Sequence, residues 1–262
     1  MKKLSPTLIA TALFGTLSLG LTPGAHADLQ TDGGFASFTG TAPGAGTDTS
    51  LAASTLSDWV NNTQVSGASG YNGGLGYNFV YTPDAGGDFN YSGDHLPLWN
   101  TSNSGSGSIT EPTGYAGNII GADGTYHQGP LSQTITGLTI GDEYTVSFYY
   151  AGAQQLGFSG PTTAAWTVGF GDASQETTAL SNSSKGFTGW TDEFLTFTAD
   201  ATSDELSFLA VGTSNGQQAF SLLADVVVTA DAPEPTPLTY GALGLLLFGV
   251  RSLRKLRQQP PV

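Results

Sequence analysis

The chain has 262 residues, no cysteine, and 21 acidic against seven basic side chains, for a formal net charge of −14. That balance argues against nucleic acid and anionic lipid as partners, and the lack of cysteine removes disulfide staples and thiolate metal sites. Glycine, at 37 residues, is about twice its usual share and points away from long helices.

Residues 1–27 read as a secretory signal. Lys2 and Lys3 supply the positive start, residues 8–21 the apolar stretch, and Ala25-His26-Ala27 a small-residue cleavage site. The apolar stretch is too short for a comfortable permanent span, and Pro23-Gly24 follow at once. Signal peptidase is therefore the expected first partner, with Ala25 and Ala27 marking a cut before Asp28. All the acidic residues fall between Asp28 and Glu234, where Lys185 is the only cation. This segment carries a formal −20, and six cations at the two ends bring the total back to −14.

Residues 28–231 are long enough for one sizeable core. No window in them has a 3.6-residue apolar period. Short alternating runs separated by Gly, Asn, Asp and Pro recur instead, so the expected fold is all-β, a single antiparallel β-sandwich. Residues 75–81 read as a strand, and residues 55–60 as a strand or a short helical turn. Residues 102–108 read as a polar loop. The clearest hairpin joins residues 131–135 to 144–150 around a turn at 137–142, with Tyr144, Val146, Phe148 and Tyr150 on one face. Further strands are expected at 165–170, 193–198, 205–210 and 220–229.

Two constellations in residues 71–99 carry chemistry. Tyr71, Tyr77, Tyr91 and Trp99 are interleaved with Asn72, Asn78, Asp88, Asn90 and Asp94. Sugars stack their C–H faces on such rings and bond their hydroxyls to such polar groups, so these rings are candidate sugar-binding residues. Packing into the core or a turn is the alternative for each. Asp88, Asn90 and Ser92, with Gly93 next, imitate the start of a calcium loop, and Asp94 adds a further oxygen. Trp99 stands where an EF-hand has its glutamate, which leaves a looser calcium-ordered loop or a polar turn. Calcium is the one cofactor the sequence raises. Trp166 and Trp190 are expected in the core.

Catalytic signals are absent from the sequence. His95 and His127 lack zinc-ligand spacing, and neither a Gly-x-Ser-x-Gly elbow nor a phosphate-cradling Gly-Lys-Ser/Thr run occurs. No catalytic residue is expected.

The last stretch has three parts. Pro233-Glu234-Pro235 is a stiff tripeptide, residues 238–250 are apolar and uncharged, and Arg251, Arg254, Lys255 and Arg257 then concentrate positive charge. Thirteen helical residues cover about 20 Å of a hydrocarbon layer about 30 Å thick, which suits a temporary anchor in the inner membrane. The cations stay cytoplasmic by the positive-inside preference, and residues 258–262 form a short cytoplasmic extension. An ordinary tail anchor is the alternative.

Taken together, Pro233-Glu234-Pro235, the Leu/Gly-rich run and the basic cluster resemble the PEP-CTERM sorting signal of polysaccharide-producing bacteria. The resemblance covers residues 232–257 and implies an exosortase as partner, cutting near the tripeptide, with the cell surface or extracellular space as destination. Pieces of the region from Gly129 to Asp225 are similar to a recurrent PEP-CTERM ectodomain. They include residues 129–135, Gly137-Leu138-Thr139, residues 151–155, residues 186–190 and residues 206–210. That ectodomain is in turn similar to galactose-binding-like jelly rolls. Where relatives carry Leu-Leu-Asp before the last strand, this chain has Leu222-Leu223-Ala224-Asp225, which displaces any role of that Asp by one position. The resemblance implies a surface protein of the exopolysaccharide matrix or biofilm, structural or weakly carbohydrate-binding. A secreted hydrolase acting on polysaccharide and a ligand-free coat protein are the alternatives.

Overall fold

The computed structural model describes residues 28–231 except 41, 53, 54, 88, 90–95 and 214. The two terminal segments, the Asp88, Asn90 and Asp94 spacing, and Tyr91 lie outside the described residues.

Fourteen strands follow one another among the described residues: β1 (Phe38–Thr39), β2 (Asp48–Ser50), β3 (Thr55–Leu56), β4 (Val60–Asn61), β5 (Asn78–Tyr81), β6 (Ile119–Asp123), β7 (Leu131–Thr136), β8 (Glu143–Gln154), β9 (Thr162–Phe170), β10 (Ala173–Glu176), β11 (Leu180–Asn182), β12 (Thr191–Thr198), β13 (Ser203–Gly212) and β14 (Ala219–Ala230). β8 shows why they form. Tyr144, Val146, Phe148 and Tyr150 are buried, while Thr145, Ser147 and Tyr149 between them are half-buried, the period of two that a pleated strand with one core face demands.

The strands make two antiparallel six-stranded sheets and a small β1–β3 pair. One sheet has the order β12-β8-β14-β6-β5-β2. The other runs β10-β9-β13-β7-β4, with β11 also on β9. From β6 onward the chain crosses between sheets at most steps, which sets β6-β14-β8-β12 against β7-β13-β9-β10. Two Greek keys wrapped in this way are a jelly-roll sandwich.

Phe208 of β13 lies at the middle of the main core. Its ring meets Phe148 edge-on at 5.2 Å, Trp166 at 6.1 Å and Trp59 at 6.1 Å. Trp166 is fully buried, and its indole N–H donates across the sandwich to the Leu222 carbonyl of β14 at 3.0 Å. A second core covers the outer face of the first sheet. Phe79, Tyr81, Ala151, Ala153, Phe220 and Leu222 are roofed there by Phe89, Leu96, Leu98 and Ile109 from the excursion between β5 and β6. Trp190 is half-buried against this second core, edge-on to Phe187 at 5.9 Å, with its N–H on the Thr110 carbonyl at 2.7 Å.

Four details depart from strand reading by pattern. Residues 131–135 and 144–150 are not the expected hairpin: β7 pairs with β4 and β13 in one sheet and β8 with β12 and β14 in the other, so the turn at 137–142 carries the chain across the sandwich, where each strand buries its apolar face against the opposite sheet. Residues 55–60 are neither one strand nor a helical turn. β3 pairs with β1, the chain bends at Ser57 and Asp58, and β4 then joins β7. The strand expected over residues 75–81 begins only at Asn78, because the chain at Gly76 must pass Gly129 almost in backbone contact. A Cβ added at Gly129 would sit 2.6 Å from the Gly76 Cα. In β14 the register shifts between Ala224 and Val227, and Asp225 takes φ 52°. This β-bulge lets Leu223 and Val226 both face the main core.

Candidate functional site: a groove around Val60

Five large apolar side chains stand exposed among the described residues: Val60, Tyr71, Leu75, Ile140 and Phe194. Three of them lie close in sequence, Val60 on β4 and Tyr71 and Leu75 on the excursion that leads from β4 to β5. Clustering of this kind marks binding surfaces more often than scattered exposure does.

β4 is the edge strand of the second sheet. Val60 pairs with Ser132 of β7, so their side chains share the sheet's outer face. Beyond β4 the chain folds back on itself. Gly76 N–H donates to the Asn62 carbonyl at 2.8 Å, and Gln64 N–H to the Gly74 carbonyl at 2.9 Å. Buried amides hold the excursion in place. Asn78 Nδ2 donates to Asn61 Oδ1 at 2.8 Å and to the Gly129 carbonyl at 2.9 Å. Gln64 Nε2 donates to Asn72 Oδ1 and the Leu75 carbonyl, and its Oε1 accepts the Asn72 N–H.

Val60, 58% exposed, divides a groove in two. On one side is an apolar cavity of about 250 Å³ lined by Leu51, Leu56, Trp59 and Leu75, with Thr55, Ser57 and Asn61 at its margin. On the other is a polar cavity of about 360 Å³, where Asp58, Asn62, Ser132, Thr134 and Glu205 present oxygens and amides. The floor is fixed from below. Trp59 is buried, donates its N–H to the Asp32 carbonyl at 3.0 Å and packs on Phe35 at 5.3 Å. Gln133 is buried beside it and donates Nε2 to the Thr31 and Asp58 carbonyls at 2.8 and 2.9 Å, while its Oε1 accepts the Thr31 N–H at 2.8 Å. In the polar half Asn62 Nδ2 donates to Ser132 Oγ at 2.8 Å, and Ser132 Oγ donates to Glu205 Oε2 at 3.2 Å.

No protein-family model matches the sequence, and no curated protein matches it. Among solved structures the chain is similar to the tandem CBM22-1–CBM22-2 domain of Paenibacillus barcinonensis Xyn10C, at 14% identity and a TM-score of 0.33, over 76% of this chain and 49% of that one. The CBM22-1 xylan-binding domain of the same protein gives 12% identity and 0.30, over 73% and 97%. The TmCBM61 module in complex with β-1,4-galactotriose gives 14% and 0.32, over 53% and 86%. The overlap is loose. Superpositions at this level leave the ligand of this chain to its own residues.

The rings named from sequence occupy three different settings. Tyr71 is exposed, four residues before Leu75 on the excursion that walls the groove. Tyr77 is half-buried, edge-on to Phe79 at 4.7 Å and to Tyr126 at 5.8 Å. Its hydroxyl pKa is raised, first by burial and then by the Asp123 carboxylate. Trp99 donates its N–H to the Phe158 carbonyl at 2.6 Å and carries the Lys185 ammonium 4.4 Å above its ring. Its backbone binds the Gln154 carbonyl at the end of β8, whereas Tyr77 precedes β5. With β8, β14 and β6 between them, the Tyr77 and Trp99 segments stand four strand spacings apart, about 19 Å. His127, beside the groove's excursion, stacks on Tyr126 at 3.9 Å. Val60, Leu75, Asp58, Gln133 and Glu205 escaped the sequence reading. Gln133 alone had left a signal, as a polar residue at the inward position between Leu131 and Ile135.

Proposed function

We propose that this chain is an exported protein, sorted to the cell surface through its C-terminal tail, whose β-sandwich binds polysaccharide in the Val60 groove. One observation carries the binding role. An apolar cavity and a polar cavity meet across an exposed valine, over a floor locked by Trp59 and Gln133. A saccharide has the same two characters, C–H faces and rims of hydroxyls, and a groove with both takes it in one orientation. No catalysis is assigned. The carboxyls of glycosidase general acids sit in apolar pockets, and the two in this groove, Asp58 and Glu205, are both exposed.

The test is a glycan array probed with residues 28–231, the span that contains both cores. Val60→Asn should weaken the best hit at least tenfold, about 1.4 kcal/mol, with little change in melting temperature because the side chain is exposed. Unchanged affinity would place binding elsewhere, and an array without hits would leave the ligand-free coat as the better reading. Release of reducing ends from a polysaccharide panel would favour the hydrolase.

The sorting role rests on the tail sequence, and the ends of the domain suit it. Leu29 N–H bonds to the Val228 carbonyl and Asp231 N–H to the Glu143 carbonyl, both at 2.9 Å, so the domain begins and ends beside the same stretch of β14. In a host with an exosortase, Glu234→Ala should leave the protein in the membrane fraction while the parent is released. Equal release of both would remove the sorting role.

A further inference from the structure

We infer that the Val60 groove selects amino sugars carrying free ammonium groups over neutral and acidic saccharides. This rests on the carbohydrate-binding reading above and names its ligand class. The polar half of the groove holds two carboxylates, Asp58 and Glu205, and no cation. Neither is in an ion pair among the described residues. One oxygen of Glu205 accepts the Ser132 hydroxyl, itself bonded by Asn62, so that carboxylate is oriented but not neutralised.

The only cation between Asp28 and Asp231 is Lys185. It follows β11, which lies on β9, while β4 is at the other side of the same sheet. Four strand spacings separate β11 from β4, about 19 Å, more than twice the Debye length of about 8 Å at physiological salt. Lys185 is moreover seated on Trp99. The field in the groove is therefore that of the two carboxylates and the acidic surface around them, and it attracts positive ligands. A bare metal ion is a poor match, since no three His, Asp or Glu side chains converge among the described residues. The apolar half beside Leu75 and Trp59 needs a ligand with an apolar face as well. A hexosamine with an unacetylated amine supplies both features, and its ammonium can make charge-assisted hydrogen bonds to either carboxylate.

The experiment compares chitosan oligomers with fully N-acetylated chitin oligomers of equal length, a neutral galactan and polygalacturonate, by calorimetry on residues 28–231. The free-amine oligomer should bind at least tenfold tighter than the acetylated one at low salt, and raising the salt should shrink that ratio. Asp58→Asn combined with Glu205→Gln should erase the preference. Asp192→Asn, which removes a carboxylate from the other sheet, should leave it intact. Equal affinity for both oligomers, with both weakened by Val60→Asn, would overturn the amino-sugar assignment and leave the carbohydrate reading standing. Loss of the preference in Asp192→Asn would also overturn it, since the effect would then belong to net charge alone. Oligolysine of equal charge that binds as tightly and ignores Val60→Asn would show a charge-only surface for basic peptides and overturn the assignment. Binding of none of the glycans would sink both readings.

Discussion

Trp166→Ala should lower the stability of the domain by about 3–5 kcal/mol, the range for emptying a large aromatic site in a packed core. The side chain is fully buried against Phe208, and its N–H is the partner that the Leu222 carbonyl finds across the sandwich. Alanine removes the ring and leaves that carbonyl with one acceptor site unfilled, so two costs add. Total stabilities run to about 5–15 kcal/mol, and a domain of this size shifts by about 2–4 °C per kcal/mol. A fall of about 10 °C in melting temperature is the expected reading. Trp190→Ala is the comparison, because that ring is only half-buried on the outer core, and it should cost distinctly less. Equal losses would contradict the burial difference between the two tryptophans.

Stability should also fall as pH rises above the ordinary carboxylate range of about 4, the reverse of the usual acid denaturation. Three carboxyls have folded-state pKa values raised above the ordinary carboxylate range. For Asp123 the main cause is burial, partly offset by the N–H groups of Thr125 and Tyr126 on its Oδ1. Asp204 is raised by burial and then by the neighbouring Asp200 carboxyl, and Asp225 by burial and then by Asp28 and Asp192. A raised acid binds its proton more tightly folded than unfolded. The native state therefore holds more protons, and the slope of unfolding free energy against pH is negative. The contribution is complete below the unfolded carboxylate pKa and is lost as pH climbs through the folded values. Mutual repulsion within a segment of formal charge −20 acts in the same direction. Asp123→Asn keeps the acceptor that Thr125 and Tyr126 use while removing the buried charge, so its melting temperature should depend less on pH than the parent's. A parent melting temperature that climbs as the pH is raised from about 4 would refute this account.

The elements that local pattern specifies were readable in the chain itself. Alternation at Tyr144, Val146, Phe148 and Tyr150 placed β8, and Gly137 and Gly141, both at positive φ, marked the turn that precedes it. An all-β sandwich followed from many such runs, because a period of two needs only neighbouring residues to declare itself. The pairing did not. β14 lies between β8 and β6, and nothing near residue 222 announces neighbours about seventy and a hundred positions earlier. Those partners are set by which faces can be buried together, a property of the assembled sheets.

The groove belongs to the same category. Its walls come from Thr31, Asp58–Asn62, Leu75, Ser132–Thr134 and Glu205, segments joined by sheet register and by the side chains of Gln133, Asn62 and Ser132. In sequence Val60 is indistinguishable from the buried valines of β14. It stands in water because β4 is the last strand of its sheet and its side chain shares the outer face with Ser132. Tyr71 and Tyr77 looked equivalent for a similar reason. One is exposed on the excursion and the other is wedged edge-on against Phe79 and Tyr126, a difference decided where the backbones of Gly76 and Gly129 meet. By itself the sequence determined the class of fold, the acidic character and the strand faces, since each depends on composition or on near neighbours. Only the tertiary structure decided which apolar residues remain in water and which carboxylates share a groove with them, since exposure is what remains after distant strands have paired.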